Sequence, residues 1–126
     1  MPTATATTAP ASTPSGNPTF RDTTAFSSTA PARGASVTLN VQVTATNGSL
    51  SNGVVDLEIY NRTNWTRVGQ YVLSGQSLSA GQTGAYQYKW TVPNAAAQYT
   101  AMVGVFGANW APDYFWDAAA AQLVVQ

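Results

Sequence analysis

The chain has 126 residues with five basic and five acidic side chains, formal net charge zero, and neither histidine nor cysteine. That length allows one domain. The missing residue types exclude His-dependent nucleophile systems, imidazole and thiolate metal sites, disulfides and thiol redox chemistry. Charged residues are only 8% of the chain, and Arg21, Arg33, Arg62, Arg67 and Lys89 are scattered singly, so the basic stripe a nucleic-acid binder needs is absent.

Residues 1–14, MPTATATTAPASTP, carry no charge and no large apolar group beyond the first Met. Thr/Pro-rich tracts of this kind act as extended, semi-rigid spacers, so residues 1–17 read as an interdomain linker and 18–126 as the folded module. Solubility rests on 17 Thr, 10 Ser, 8 Asn and 8 Gln, a neutral hydroxyl- and amide-rich surface that suits a secreted protein meeting neutral polymers. No apolar run reaches the roughly 18 residues of a membrane span, so no membrane partner is expected.

After the linker the pattern has period two, the spacing of half-buried strands. A first strand is expected over Thr19–Phe26. In SVTLNVQVTAT, Val37, Leu39, Val41 and Val43 share one face, and Thr38, Asn40, Gln42 and Thr44 the other. Turn chemistry follows at Asn47-Gly48 and Ser51-Asn52-Gly53. VVDLEIY then places Val55, Leu57 and Ile59 opposite Asp56, Glu58 and Tyr60. Further strands are expected at 67–73, 85–92, 99–106 and 122–125, making seven. In the fifth, Tyr86, Tyr88, Trp90 and Val92 form the core face, so Trp90 is assigned to packing. Seven short strands with Gly, Pro and Asn turns and almost no helix signal predict an all-β fold, an antiparallel two-sheet β-sandwich of immunoglobulin-like or jelly-roll-like type.

The segment WAPDYFW holds Trp110, Tyr114, Phe115 and Trp116 within seven residues, after Gly107 and Asn109. Pro112 and the preceding GAN interrupt a ladder, so the segment reads as an end or edge loop with more aromatic surface than a loop needs. Phe115 is expected to plug the open end of the sandwich. The others form a candidate interaction site. A pyranose ring suits it: the axial C–H face covers an indole or phenol, while equatorial hydroxyls reach amides and carboxylates. Trp65, in NRTNWTR, is a further candidate on the same edge, and Asn109, Asp113 and Asp117 are candidates for hydroxyl contacts.

YTAMVGVFGANWAPDYFWDAAAAQLVV resembles the C-terminal half of β-sandwich modules appended to bacterial cellulases, in which a GVF strand leads to Trp, Tyr and Trp and then a last strand. SAGQTGAYQYKWTVP is similar to the same modules in its AGQT turn and WTVP ending; together the two stretches cover about a third of the chain. The family resembled is carbohydrate-binding module family 81. The resemblance implies a non-catalytic module that binds β-1,4- and mixed-linkage β-glucans on a rather flat surface, joined through the linker to an N-terminal catalytic glycoside hydrolase domain. Related modules carry His between the Tyr and Trp, and Asn after them; here Phe115 and Asp117 stand in those places.

Other readings start from the five carboxylates, Asp22, Asp56, Glu58, Asp113 and Asp117. Asp56 and Glu58 have the spacing of a glycosidase pair, roughly 7 Å along one strand face. They also occupy the polar parity of an alternating strand, where side chains are solvated, and so short a chain leaves no room for a deep cleft. Catalysis is therefore not expected. Asp113 and Asp117 could contribute to a structural calcium site, though such a site needs six to eight oxygens. Asn47, Asn61 and Asn64 match the N-glycosylation pattern of a eukaryotic secretory host. The serious alternative is an immunoglobulin-like spacer that positions a neighbouring catalytic domain; in that case Trp110, Tyr114 and Trp116 should be mostly buried.

Overall fold

The computed structural model describes residues 17–126, and the Thr/Pro-rich segment expected as a linker lies outside them except for Asn17. The described chain folds as β1 (Thr19–Phe26), β2 (Ser36–Asn47), β3 (Leu50–Asn61), β4 (Arg67–Leu78), β5 (Thr83–Thr91), β6 (Ala97–Phe106) and β7 (Asp113–Val125), with one short 3-10 turn, Ala108–Trp110, before β7. All strand pairs are antiparallel. They form a three-stranded sheet, β1-β2-β5, and a four-stranded sheet, β4-β3-β6-β7. This is the expected β-sandwich with the expected seven strands. Its fourth strand lies beside the third in the larger sheet, rather than completing the smaller sheet as in the constant-type immunoglobulin arrangement.

Period-two alternation explains how the sheets face each other. β2 turns Val37, Leu39, Val41, Val43 and Ala45 inward, β3 supplies Val55, Leu57 and Ile59, and β6 supplies Tyr99, Ala101, Val103 and Val105, all buried. Full burial of a Leu, Ile or Val side chain contributes roughly 1.5–3 kcal/mol relative to exposure. Trp90 is buried as expected, edge-on to Tyr99 with ring centroids 5.1 Å apart. Its indole N–H donates to the Val68 carbonyl of β4 at 3.4 Å, tying the two sheets at the β4–β5 side.

Two local expectations are corrected. Ser51-Asn52-Gly53 is not a turn but part of β3, where the pairing with β4 is irregular. The crossing from β2 to β3 is made tightly at Gly48 and Ser49 instead. The segment DYFWD is not a loop either, because β7 begins at Asp113, directly after Pro112. Pro112 therefore sits at the boundary of a strand, where its missing N–H costs no ladder bond.

Candidate functional site

The outer face of the four-stranded sheet is built in rows across the strands. Val72, Asp56, Gly104 and Trp116 lie in register on β4, β3, β6 and β7. The next row toward one end is Val54, Phe106 and Asp113; toward the other it is Gln70, Glu58 and Met102. All these side chains belong to the parity opposite the core. Aromatic rings thus gather on β6 and β7, while Asp56, Glu58 and Gln70 make a polar group on β3 and β4 beside Val72.

Trp116 owes its position to Gly104. A Cβ on Gly104 would come within 2.6 Å of Trp116 Cε3 and 2.7 Å of Cζ3, closer than side chains allow, so the bare glycine is what lets the indole lie over the β6 backbone. Phe106 packs against it edge-on at 6.3 Å, and Trp110 packs against Phe106 at 5.2 Å. Trp110 reaches this place through a turn in which Asn109 and Trp110 both adopt positive φ, 60° and 69°. Such backbone is uncommon for a residue with a side chain and costs of order 1–3 kcal/mol. The turn is held by the Trp110 and Gly107 amides, which donate to the Gly107 and Pro112 carbonyls respectively. Trp110 and Trp116 remain 44% and 39% exposed although Phe106 packs against both.

Beside the aromatic group lies a buried polar cluster. Asp56 and Glu58, expected as solvated side chains of a plain alternating strand, are only 1% and 6% exposed. They are covered because β6 and β7 bring apolar residues to this outer face too. Gln70 Nε2 donates to Asp56 Oδ1 at 3.0 Å and to Glu58 Oε2 at 3.3 Å, and the Tyr60 hydroxyl donates to Glu58 Oε1 at 2.6 Å. Arg67 lies 3.6 Å from Glu58 Oε2. Burial, and then the hydrogen bond with Glu58, pushes the Asp56 pKa from 3.8 up to about 7. The bond to Glu58 similarly raises the Tyr60 phenol.

The remaining sequence candidates separate. Tyr114 is half-buried and turns toward β1, with its ring 6.2 Å from Phe20, so it does not join the two tryptophans. Phe115 packs against the core as expected. Asn109 and Asp113 are exposed near Trp110, and Asp113 Oδ1 accepts the Phe115 amide at 3.2 Å. Asp117 points the other way, to the seam between β7 and β1, where its carboxyl neighbours Asp22; burial first, and then Asp117, raises the Asp22 pKa. Asp113 and Asp117 therefore do not converge, and among the described residues no group of three or more metal-ligating side chains is formed. Trp65 is 55% exposed, but at the opposite end of the strands from Trp110, not on the same edge. Asn61 and Asn64 use their side-chain oxygens to accept the Thr63 and Thr66 amides, which shapes the β3–β4 turn that carries Trp65.

Sequence reasoning weighed Asp56 and Glu58 only as a carboxylate pair on a solvated strand face and did not single out Gln70 or Phe106. A signal was present in β6, where YTAMVGVF places Met102 and Phe106 on the parity opposite Val103 and Val105. A strand apolar on both faces indicates that both are covered. Neither the protein-family profiles nor the curated protein sequences contain a match to this chain.

Proposed function

We propose that this protein is a non-catalytic carbohydrate-binding module that takes a β-glucan chain on the outer face of its four-stranded sheet. The observation that carries the reading is Trp116, laid over Gly104 and still 39% exposed, next to the Asp56–Glu58–Gln70 cluster. A pyranose stacked on that indole gains apolar contact at little entropic cost, since Trp has only two side-chain torsions to fix. Its hydroxyls then lie toward Gln70 and Arg67, the exposed members of the polar cluster. Trp110 and Phe106 extend the aromatic surface. The exposure of both tryptophans favours this reading over that of a spacer, for which burying them would stabilise the module at no functional loss.

Aromatic stacking and neutral hydrogen bonds fit cello-oligosaccharides, mixed-linkage glucan and xyloglucan alike. In a longer secreted polypeptide the module would hold an attached glycoside hydrolase against plant cell-wall polysaccharide. Affinity electrophoresis of the protein and its Trp116→Ala variant, in gels cast with each polymer, tests the proposal. The protein should be retarded by at least one polymer, and the variant should migrate nearly as in a gel without polysaccharide. Equal retardation of the two, or none of the protein by any polymer, overturns it.

A further inference from the structure

The outer face does not end at Trp116. Continuing along β6 and β7, the next outward positions are Thr100 opposite Gln122 and then Gln98 opposite Val124. Tyr60 on β3 pairs with Thr100, and one step further the Arg62 amide donates to the Gln98 carbonyl, which keeps the Arg62 side chain on this face. Its guanidinium is placed by Gln98 Oε1 and Gln122 Oε1 at 3.4 and 3.3 Å. Arg62, Gln98 and Val124, together with Trp65 and Thr63 of the β3–β4 turn, line a cleft of about 420 Å³.

Trp65 is the most exposed large apolar side chain of the described residues, and it is held at φ 56°. It takes no part in the buried core. A bulky side chain kept in left-handed backbone at a cleft mouth is a strained arrangement of the kind found at binding sites. From Gly104 to Gln98 is six residues of strand, an advance of about 20 Å or the length of roughly four β-1,4-linked glucose rings. Gln122 and Gln98 are exposed along the surface between, whose charged groups are Arg62 and, toward β4, Arg67 paired with Glu58. Arg62 has guanidinium donors beyond those directed to the two glutamines.

We infer that a single glucan chain lies lengthwise along β6, stacked on Trp116 at one end and entering the Trp65 cleft at the other, with Arg62 as a hydroxyl-binding residue of that far subsite. The inference rests on the glucan-binding reading above and adds a direction and a length to it. A trisaccharide fills only the Trp116 end. A hexasaccharide reaches both.

Isothermal titration of the protein with cellotriose and with cellohexaose separates the two levels. Cellohexaose should bind with one chain per protein and at least tenfold more tightly than cellotriose. Trp65→Ala should cut cellohexaose affinity about tenfold and leave cellotriose within twofold; Arg62→Ala should act in the same direction, more weakly. Both positions are exposed, so the variants should keep the circular dichroism of the parent. Unchanged cellohexaose affinity in Trp65→Ala overturns the lengthwise path, as does a stoichiometry of two cellotriose molecules per protein, which would make the cleft an independent site. Retention of cellotriose binding by Trp116→Ala overturns instead the reading on which the path rests.

Discussion

The two outer faces of the sandwich start from the same strand grammar and end in different physical states. On the three-stranded sheet, Thr38, Asn40, Gln42 and Thr44 of β2 meet Lys89, Gln87, Ala85 and Thr83 of β5. Their contacts are short cross-strand hydrogen bonds in water, Thr44 to Thr83 at 2.7 Å and Gln87 to Asn40 at 3.0 Å. On the four-stranded sheet the equivalent positions of β3 are Asp56 and Glu58, and these are buried. The strands differ little in pattern; their neighbours differ greatly. β2 is flanked by strands whose outward residues are polar or small, whereas β3 lies next to β6, which presents Met102, Gly104 and Phe106 outward and lets Trp116 of β7 lie across the glycine. A polar side chain is solvated or buried according to what stands two strands away.

The contrast can be broken first at Asp56. Its folded-state pKa of about 7 lies above the ordinary 3.8, so between those pH values the folded protein holds a proton that the unfolded chain has released. Stability should therefore be full below about pH 4, fall as pH rises toward 7, by on the order of 4 kcal/mol, and level off above. Asp56→Asn should lose most of that slope, as read by urea unfolding at pH 4, 6 and 8. A parent protein with the same stability at all three values would mean that Asp56 is effectively solvated, as its counterparts on the other face are.

Gly104→Ala sharpens the comparison from the aromatic side. The added methyl must displace the rings of Trp116 and Phe106, which it would meet at 2.6 and 2.7 Å. Overpacking of this kind costs about 1–3 kcal/mol in stability. Glucan retardation should also weaken markedly, because the stacking surface moves while Trp116 itself is retained. Wild-type migration of a folded Gly104→Ala variant would separate the glycine from the binding face.

The smallest effect is expected on the opposite sheet. Asn40→Ala and Gln87→Ala remove one exposed hydrogen bond, and each should change stability by no more than about 0.5 kcal/mol. Glucan retardation should be unaffected in both. A binding loss in either would place part of the carbohydrate surface on the three-stranded sheet.

Much of the fold was legible because alternation is a local property. Thr19–Phe26 appears with the bounds the pattern suggests, and the inward residues of β2, β3 and β5 are those with apolar parity. Strand ends were less legible: β4 runs on to Leu78 through Gly75, and β7 starts nine residues before Gln122 because aromatic and alanine positions carry no clear two-residue contrast. Of the candidate site residues, Trp110 and Trp116 come together through Phe106, while Tyr114 goes to Phe20. Two residues apart, Tyr114 and Trp116 would share a face in a regular strand; the register irregularity at Phe106, which pairs with Asp113 while Val105 pairs with Phe115, divides them.

By itself, then, the amino-acid order determined a seven-stranded, two-sheet body, its core and its excess of aromatic rings, since period and composition act within a few residues. Only the tertiary structure decided which rings share a face, that Asp56 and Glu58 lie buried beside them, and that Trp65 stands at the far end of the same sheet. Those outcomes depend on register between strands distant in sequence, and register is set by packing across the whole sheet rather than by any one strand.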